Sequence, residues 1–143
     1  MPMLFSYLFF ILTLTPPPKS GELTISITDL KNKNGQVLVS LFKDGKGYPD
    51  KPDLAFKKGR ASFVGNDKAV INFTGLQSGQ YAAVILHDEN SNLKMDKSWI
   101  GLPREGYGFS NNVMGSLGPP TFSKASFSHT AEEESEIIIK LRY

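Results

Sequence analysis

Asp88, Asn90 and Asn92 alternate in one short segment, and Asp96 follows four residues later. Oxygen donors at every second position, closed by another carboxylate, suit a hard cation, so these four residues form a candidate calcium site. An EF-hand is excluded. With Asp88 at position 1, the turn glycine of position 6 is Leu93 and the bidentate glutamate of position 12 is Trp99. A looser site without bidentate closure would bind calcium weakly, at about 10⁻⁴ to 10⁻³ M. The same composition also makes a plain turn, in which Asp and Asn side chains hold backbone N–H groups. Both readings stay open on the residues alone.

Two further groups have the chemistry for function. His87 precedes Asp88 and could be a base oriented by a carboxylate, with Ser110 as nucleophile. Ser110 lies in Gly108-Phe109-Ser110-Asn111-Asn112, which lacks the second glycine and the strand-to-helix setting of a nucleophile elbow. His87 and His129 have no local ligand spacing for zinc. The second group is the stretch 101–120. It carries Glu105, Tyr107, Phe109, Asn111 and Asn112, aromatics interleaved with amides, a composition suited to a groove for a small polar ligand, glycan or peptide. Loops of this length in a compact domain are usually functional or disordered, and this one is not disordered by composition. The alternative role is to cover an open end of the fold.

Strands must position these residues. Leu23, Ile25 and Ile27 alternate with polar residues, and so do Val37, Val39 and Leu41. The pattern predicts two half-buried strands joined by a turn at Asn34-Gly35 as a hairpin. Residues 60–64 and the alternation of Ala69, Ile71 and Phe73 predict two more. The run from Tyr81 to Leu86 is apolar on both faces and predicts a central strand covered on both sides. Residues 121–127 and Ile137, Ile139 and Leu141 complete the set. Tyr81, after Gly79, has the setting of a tyrosine corner, its hydroxyl bonded to upstream backbone. Trp99 is expected to pack in the core or within its loop. No amphipathic helix of ten or more residues emerges, and the polar loop 43–58 has room for a brief helical turn near Leu54 to Phe56. The expected fold is all-β, a single antiparallel β-sandwich of about seven strands, immunoglobulin-like or prealbumin-like, with a small barrel as the alternative.

The composition narrows the partners. A net charge of +2 with scattered lysines gives no nucleic-acid footprint. The chain has no cysteine, which excludes disulfides, thiolate metal sites and a lipoprotein anchor. Leu4 to Leu14 is an uncharged apolar run, shorter than the ~20 residues of a membrane span, and Pro16-Pro17-Pro18 breaks it. Residues 1–20 are therefore expected to act as a signal peptide or N-terminal hydrophobic segment. Residues 21–143 then form the domain of an exported protein, periplasmic or extracellular, with no stable membrane span after processing.

Several motifs occur together in order: Phe73-Thr74-Gly75-Leu76, Gly79-x-Tyr81-Ala82, the segment His87 to Asp96, Gly101-Leu102-Pro103, Glu105-Gly106-Tyr107-Gly108-Phe109-Ser110-Asn111-Asn112, and Gly118-Pro119-Pro120. In these the chain resembles the bacterial family called domain of unknown function 2141, over nearly all of its length after Gly21. The resemblance implies an exported bacterial protein without an established activity. Ser91 and Leu93 stand where the family's turn usually has glycine. The expected role is a non-catalytic binding or structural module of the cell envelope. The alternative is a hydrolase-type enzyme using His87 and the 101–120 loop.

Overall fold

The computed structural model describes residues 21–143. The segment 1–20, expected to direct export, lies outside them. Among the described residues there are eight strands: β1 Gly21–Thr28, β2 Gln36–Lys43, β3 Lys57–Val64, β4 Lys68–Leu76, β5 Gly79–Asp88, β6 Gly106–Phe109, β7 Phe127–His129 and β8 Glu134–Lys140. One short helix, α1 (Phe122–Ala125), precedes β7.

The strands follow one path, β6-β5-β2-β3-β4-β1-β8, with β7 also on β5. The fold is all-β as expected, but the sheet follows the barrel alternative and not the antiparallel sandwich. β3 pairs with both β2 and β4, so the two halves are continuous, and β1 runs parallel to β8. The sheet is mixed and almost closes into a barrel. Tyr107 and Arg142 exchange both backbone bonds, at 2.9 and 2.8 Å, joining β6 to the chain just after β8. Asn112 continues the seam. Its Nδ2 donates to the Ile138 carbonyl at 3.0 Å and its Oδ1 accepts from Lys140 N at 2.8 Å. One amide thereby satisfies a donor and an acceptor on an edge that would otherwise stay open.

The seam demands glycine. A Cβ on Gly108 would lie 2.8 Å from Ile139 Cγ2 and 3.0 Å from the Lys140 carbonyl oxygen, and one on Gly106 would lie 2.5 Å from the Tyr143 ring. The alternation Gly106-Tyr107-Gly108-Phe109 lets β6 approach on the glycine face and pack aromatics on the other.

Alternation placed the strands correctly but not their partners. β1 pairs with β4 and β8, and β2 pairs with β3 and β5, so the expected β1–β2 hairpin does not form. The connection between them crosses the barrel end, pinned by Leu30 in the core. Inside, Leu23, Ile25 and Ile27 meet Val37, Val39, Leu41 and Ile85 in one apolar cluster, each such side chain contributing about 1.5–3 kcal/mol by burial.

The prediction that β5 is covered on both sides holds for a specific reason. Outside the barrel, Tyr48 packs edge-on against Phe42 and Phe122, both at 5.7 Å, and against Phe109 at 6.5 Å. This second apolar layer buries Phe42, Ala82 and Ala125. The expected strand over 121–127 is mostly α1, because the Thr121 side chain caps Lys124 N and turns the chain. Tyr81 does what its setting implies: its hydroxyl donates to the Gln77 carbonyl at 2.7 Å.

Candidate functional site

β5 delivers His87 and Asp88 to one end of the barrel, where both are fully buried. His87 Nε2 lies 2.9 Å from the Asn34 carbonyl oxygen, which can only accept, so Nε2 carries the proton. Its Nδ1 then accepts the Tyr143 hydroxyl at 2.5 Å, and that oxygen accepts from Lys31 N at 3.2 Å. Burial raises the Tyr143 pKa, the Lys31 N–H opposes this, and the nearby Glu89 charge adds to it. The hydroxyl thus stays protonated and donating.

Asp88 organises the turn that follows. Its Oδ1 accepts Asn92 N at 3.0 Å, and its Oδ2 accepts Leu93 N at 2.9 Å and Gln36 Nε2 at 2.8 Å. Asp96 accepts the side-chain amides of Asn90, at 2.5 Å, and Asn92, at 2.9 Å. Asn92 Oδ1 accepts Lys94 N at 2.9 Å. Ser91 and Leu93 both take positive φ, 58° and 65°, where glycine would be unstrained. The structure therefore brings Asp88, Asn90, Asn92 and Asp96 into one turn, with their oxygens accepting hydrogen bonds from the turn itself. Among the described residues, no three His, Cys, Asp or Glu side chains converge as a metal-binding group.

The five residues singled out in 101–120 are divided. Glu105 is buried beside the Asp88 turn. Its Oε1 accepts Glu89 N at 3.0 Å and its Oε2 accepts Asp96 N at 3.1 Å, which ties the end of β5 to the next loop. Tyr107 and Phe109 lie on the outer face of β6, with ring centroids 6.1 Å apart. Asn111 donates to the Lys124 and Ser126 carbonyls at 3.1 and 2.7 Å, while Asn112 holds the barrel seam. Phe109 and Asn112 also line a pocket of about 200 Å³ with Met114 and Arg142.

Ser110 is fully buried. Its Oγ accepts Ala83 N at 2.9 Å and donates to the Ala125 carbonyl at 2.5 Å, filling the gap on β5 between its pairings with β6 and β7. Ala83 is four residues from His87, about 13 Å along a strand, so Ser110 and His87 do not form a nucleophile–base pair.

A larger cleft, about 430 Å³, opens at the His87 end and is lined by Asn34, Glu89, Asn90, Asp96, Lys97, Arg104 and Glu105. Only Glu105, Asn90 and Asp96 were legible as site residues. Lys97 and Arg104 meet here because residues 96–104 form a small hairpin, with Arg104 N on the Asp96 carbonyl at 2.8 Å and a bridge between Lys97 and Pro103. A charged pair on either side of Ser98 to Pro103 was the available signal. The expectation for Trp99 is overturned: at the hairpin tip it is 94% exposed.

Residues 25–137 match the family described as uncharacterized protein conserved in bacteria, domain of unknown function 2141. The chain belongs to this family. No curated protein matches it. Among solved structures, a fimbrial assembly protein from Parabacteroides distasonis is similar at 10% identity and a TM-score of 0.40, over 85% of this chain and 52% of that one. This member of the family thus spans about half the length of that structure. Among the described residues no helix is long and apolar enough to cross a membrane.

Proposed function

We propose that this protein is a non-catalytic binding module of the bacterial cell envelope. Its ligand is a small polar molecule, glycan or peptide held in the cleft between Glu89 and Arg104. The observation that carries this reading is a division of labour among the polar groups. His87, Asp88, Glu105 and Ser110, the groups best suited to chemistry, are buried and committed to bonds that hold the fold. Lys97 and Arg104 line the cleft exposed, with no side-chain partner among the described residues. Such cations favour a carboxylate or other anion on the ligand, while Asn34, Asn90 and Glu89 offer hydrogen bonds to hydroxyls or amides. The cleft measures about 430 Å³ and is lined by polar and charged side chains.

The envelope location rests on the apolar run Leu4 to Leu14 and its proline break. N-terminal sequencing from the native host should find mature protein beginning near residues 16–22. The cleft is tested by NMR titration with acidic oligosaccharides and short peptides. Amide shifts should centre on Asn34, Asn90, Lys97 and Arg104, and Arg104→Ala should abolish them. Shifts confined to the pocket beside Met114 would move the site to the other end of β6.

A further inference from the structure

The hairpin 96–104 is well ordered although its tip is exposed. Ser98 N donates to the Leu102 carbonyl at 2.8 Å, Gly101 N to the Ser98 carbonyl at 2.9 Å, and Leu102 N to Ser98 Oγ at 3.2 Å. Glu105 fastens its base through Asp96 N. Ordering such a loop costs conformational entropy. Yet the tip presents Trp99 at 94% exposure, with Ile100 and Leu102 both at 59%, and Leu93 on the adjoining turn is exposed as well. Contiguous exposed apolar side chains of this size mark an interaction surface.

The surrounding charge identifies the occupant. Lys94, Lys97 and Arg104 flank the tip and are exposed, and residues 97–104 contain no carboxylate. The nearest acids, Glu89, Asp96 and Glu105, keep their charge but lie half-buried or buried at the base of the hairpin. The result is an apolar apex whose exposed flanking charges are basic. Lysine is depleted from the cores of protein–protein interfaces, whereas this arrangement is complementary to an anionic bilayer. Indole belongs at the headgroup level, aliphatic side chains reach the acyl boundary, and each basic residue gains from the negative surface.

We infer that the hairpin tip Trp99-Ile100-Leu102 docks this domain peripherally on an anionic phospholipid surface. Lys97 and Arg104 serve both the cleft and the docking surface, but Trp99, Ile100 and Leu102 do not line the cleft, so substitutions at the tip test the docking separately from the cleft ligand.

Trp99 is the only tryptophan in the chain, so its emission reports the tip alone. The test uses the full chain with vesicles of phosphatidylcholine, and of phosphatidylcholine with one third phosphatidylglycerol. With the anionic vesicles Trp99 emission should shift to the blue and be quenched by brominated acyl chains. The effect should fade with added salt, as surface electrostatics require. Ile100→Ser with Leu102→Ser should lose the shift while keeping the far-ultraviolet spectrum and any binding in the cleft. Unchanged emission, even where the chain sediments with vesicles through its apolar N-terminal run, overturns the proposal. So does an equal shift with neutral vesicles. Shielding of Trp99 by a purified envelope protein and by neither vesicle would also overturn it, by making the occupant a protein.

Discussion

Tyr143 Oη donates to His87 Nδ1 at 2.5 Å, and this bond closes the end of the barrel. It links the end of β5 to the chain beyond β8, two elements far apart in sequence. The Tyr143 ring lies edge-on to His87 at 5.9 Å, with Lys31 Nζ 4.4 Å from its centroid. Tyr143→Phe keeps the ring and removes only the hydroxyl. A fully buried imidazole nitrogen then loses its donor, which costs about 1–3 kcal/mol. Chemical denaturation should show that loss with an unchanged denaturant slope. An unchanged midpoint would mean that the bond adds nothing.

Tyr48 presents the opposite case. Its hydroxyl is buried and has no partner among the described residues, while its ring holds the outer aromatic layer together. Tyr48→Phe should leave stability unchanged or raise it by about 1 kcal/mol, since an unpaired buried hydroxyl is a cost. Burial also pushes the Tyr48 pKa from 10.0 up to about 12. Between those values the unfolded chain has lost a proton that the folded chain keeps. Stability is therefore full below pH 10 and falls as pH rises towards 12. Tyr81 and Tyr143 are raised as well, both chiefly by burial, and steepen the fall. Melting curves of Tyr48→Phe should decline less across that window than those of the native chain.

His129 sets the acid limb. Its Nδ1 pairs with Ser135 Oγ at 2.8 Å, and its Nε2 is buried without a partner among the described residues. Burial lowers its pKa below 6.5, and the charge of Glu133 only partly opposes this. The unfolded state binds the extra proton first. Stability is thus full above pH 6.5 and declines as pH falls through the lowered folded value. Proton NMR should find the His129 ring titrating below 6.5, and His129→Leu should flatten the acid limb. A ring titrating at or above 6.5 would contradict this account.

Local pattern and long-range pairing differ in how far they can be read from sequence. Ile25 and Val39 announce their strands because side chains alternate between faces, whatever strand lies alongside. Nothing local in β1 tells it to prefer β4 and β8 over β2, since partner choice is made by the whole barrel. Tyr81 was legible because its bond is short-range, reaching Gln77 four residues back. Asn112 looked like a ligand contact because an exposed amide in a loop is ambiguous until the edge of β8 is seen beside it. A lone tryptophan such as Trp99 reads as packing, and an ordered hairpin that holds it out to water leaves no trace in composition.

The turn after β5 offers a final test, because its two readings put opposite demands on Asp88. Asp88 accepts two backbone N–H groups and one side-chain amide while fully buried. Held by these bonds alone, the turn needs the carboxylate whether or not a cation is present. Asp88→Ala then strands the Asn92 and Leu93 N–H groups and Gln36, at about 1–3 kcal/mol for each group that stays buried. The loss should be the same in chelator as in calcium. A calcium site makes a different demand. At about 100 times the dissociation constant, calcium would add about 2.7 kcal/mol to the native chain and nothing to Asp88→Ala. Magnesium would substitute poorly because it requires a tighter octahedron. With the oxygens of Asp88, Asn92 and Asp96 already accepting bonds within the turn, the expected outcome is the first. Asp88→Ala should be equally destabilised in both buffers, and hydrogen exchange should quicken at Asn92 and Leu93. A calcium-specific gain beyond matched ionic strength, lost in Asp88→Ala, would instead show that the turn opens to take the ion.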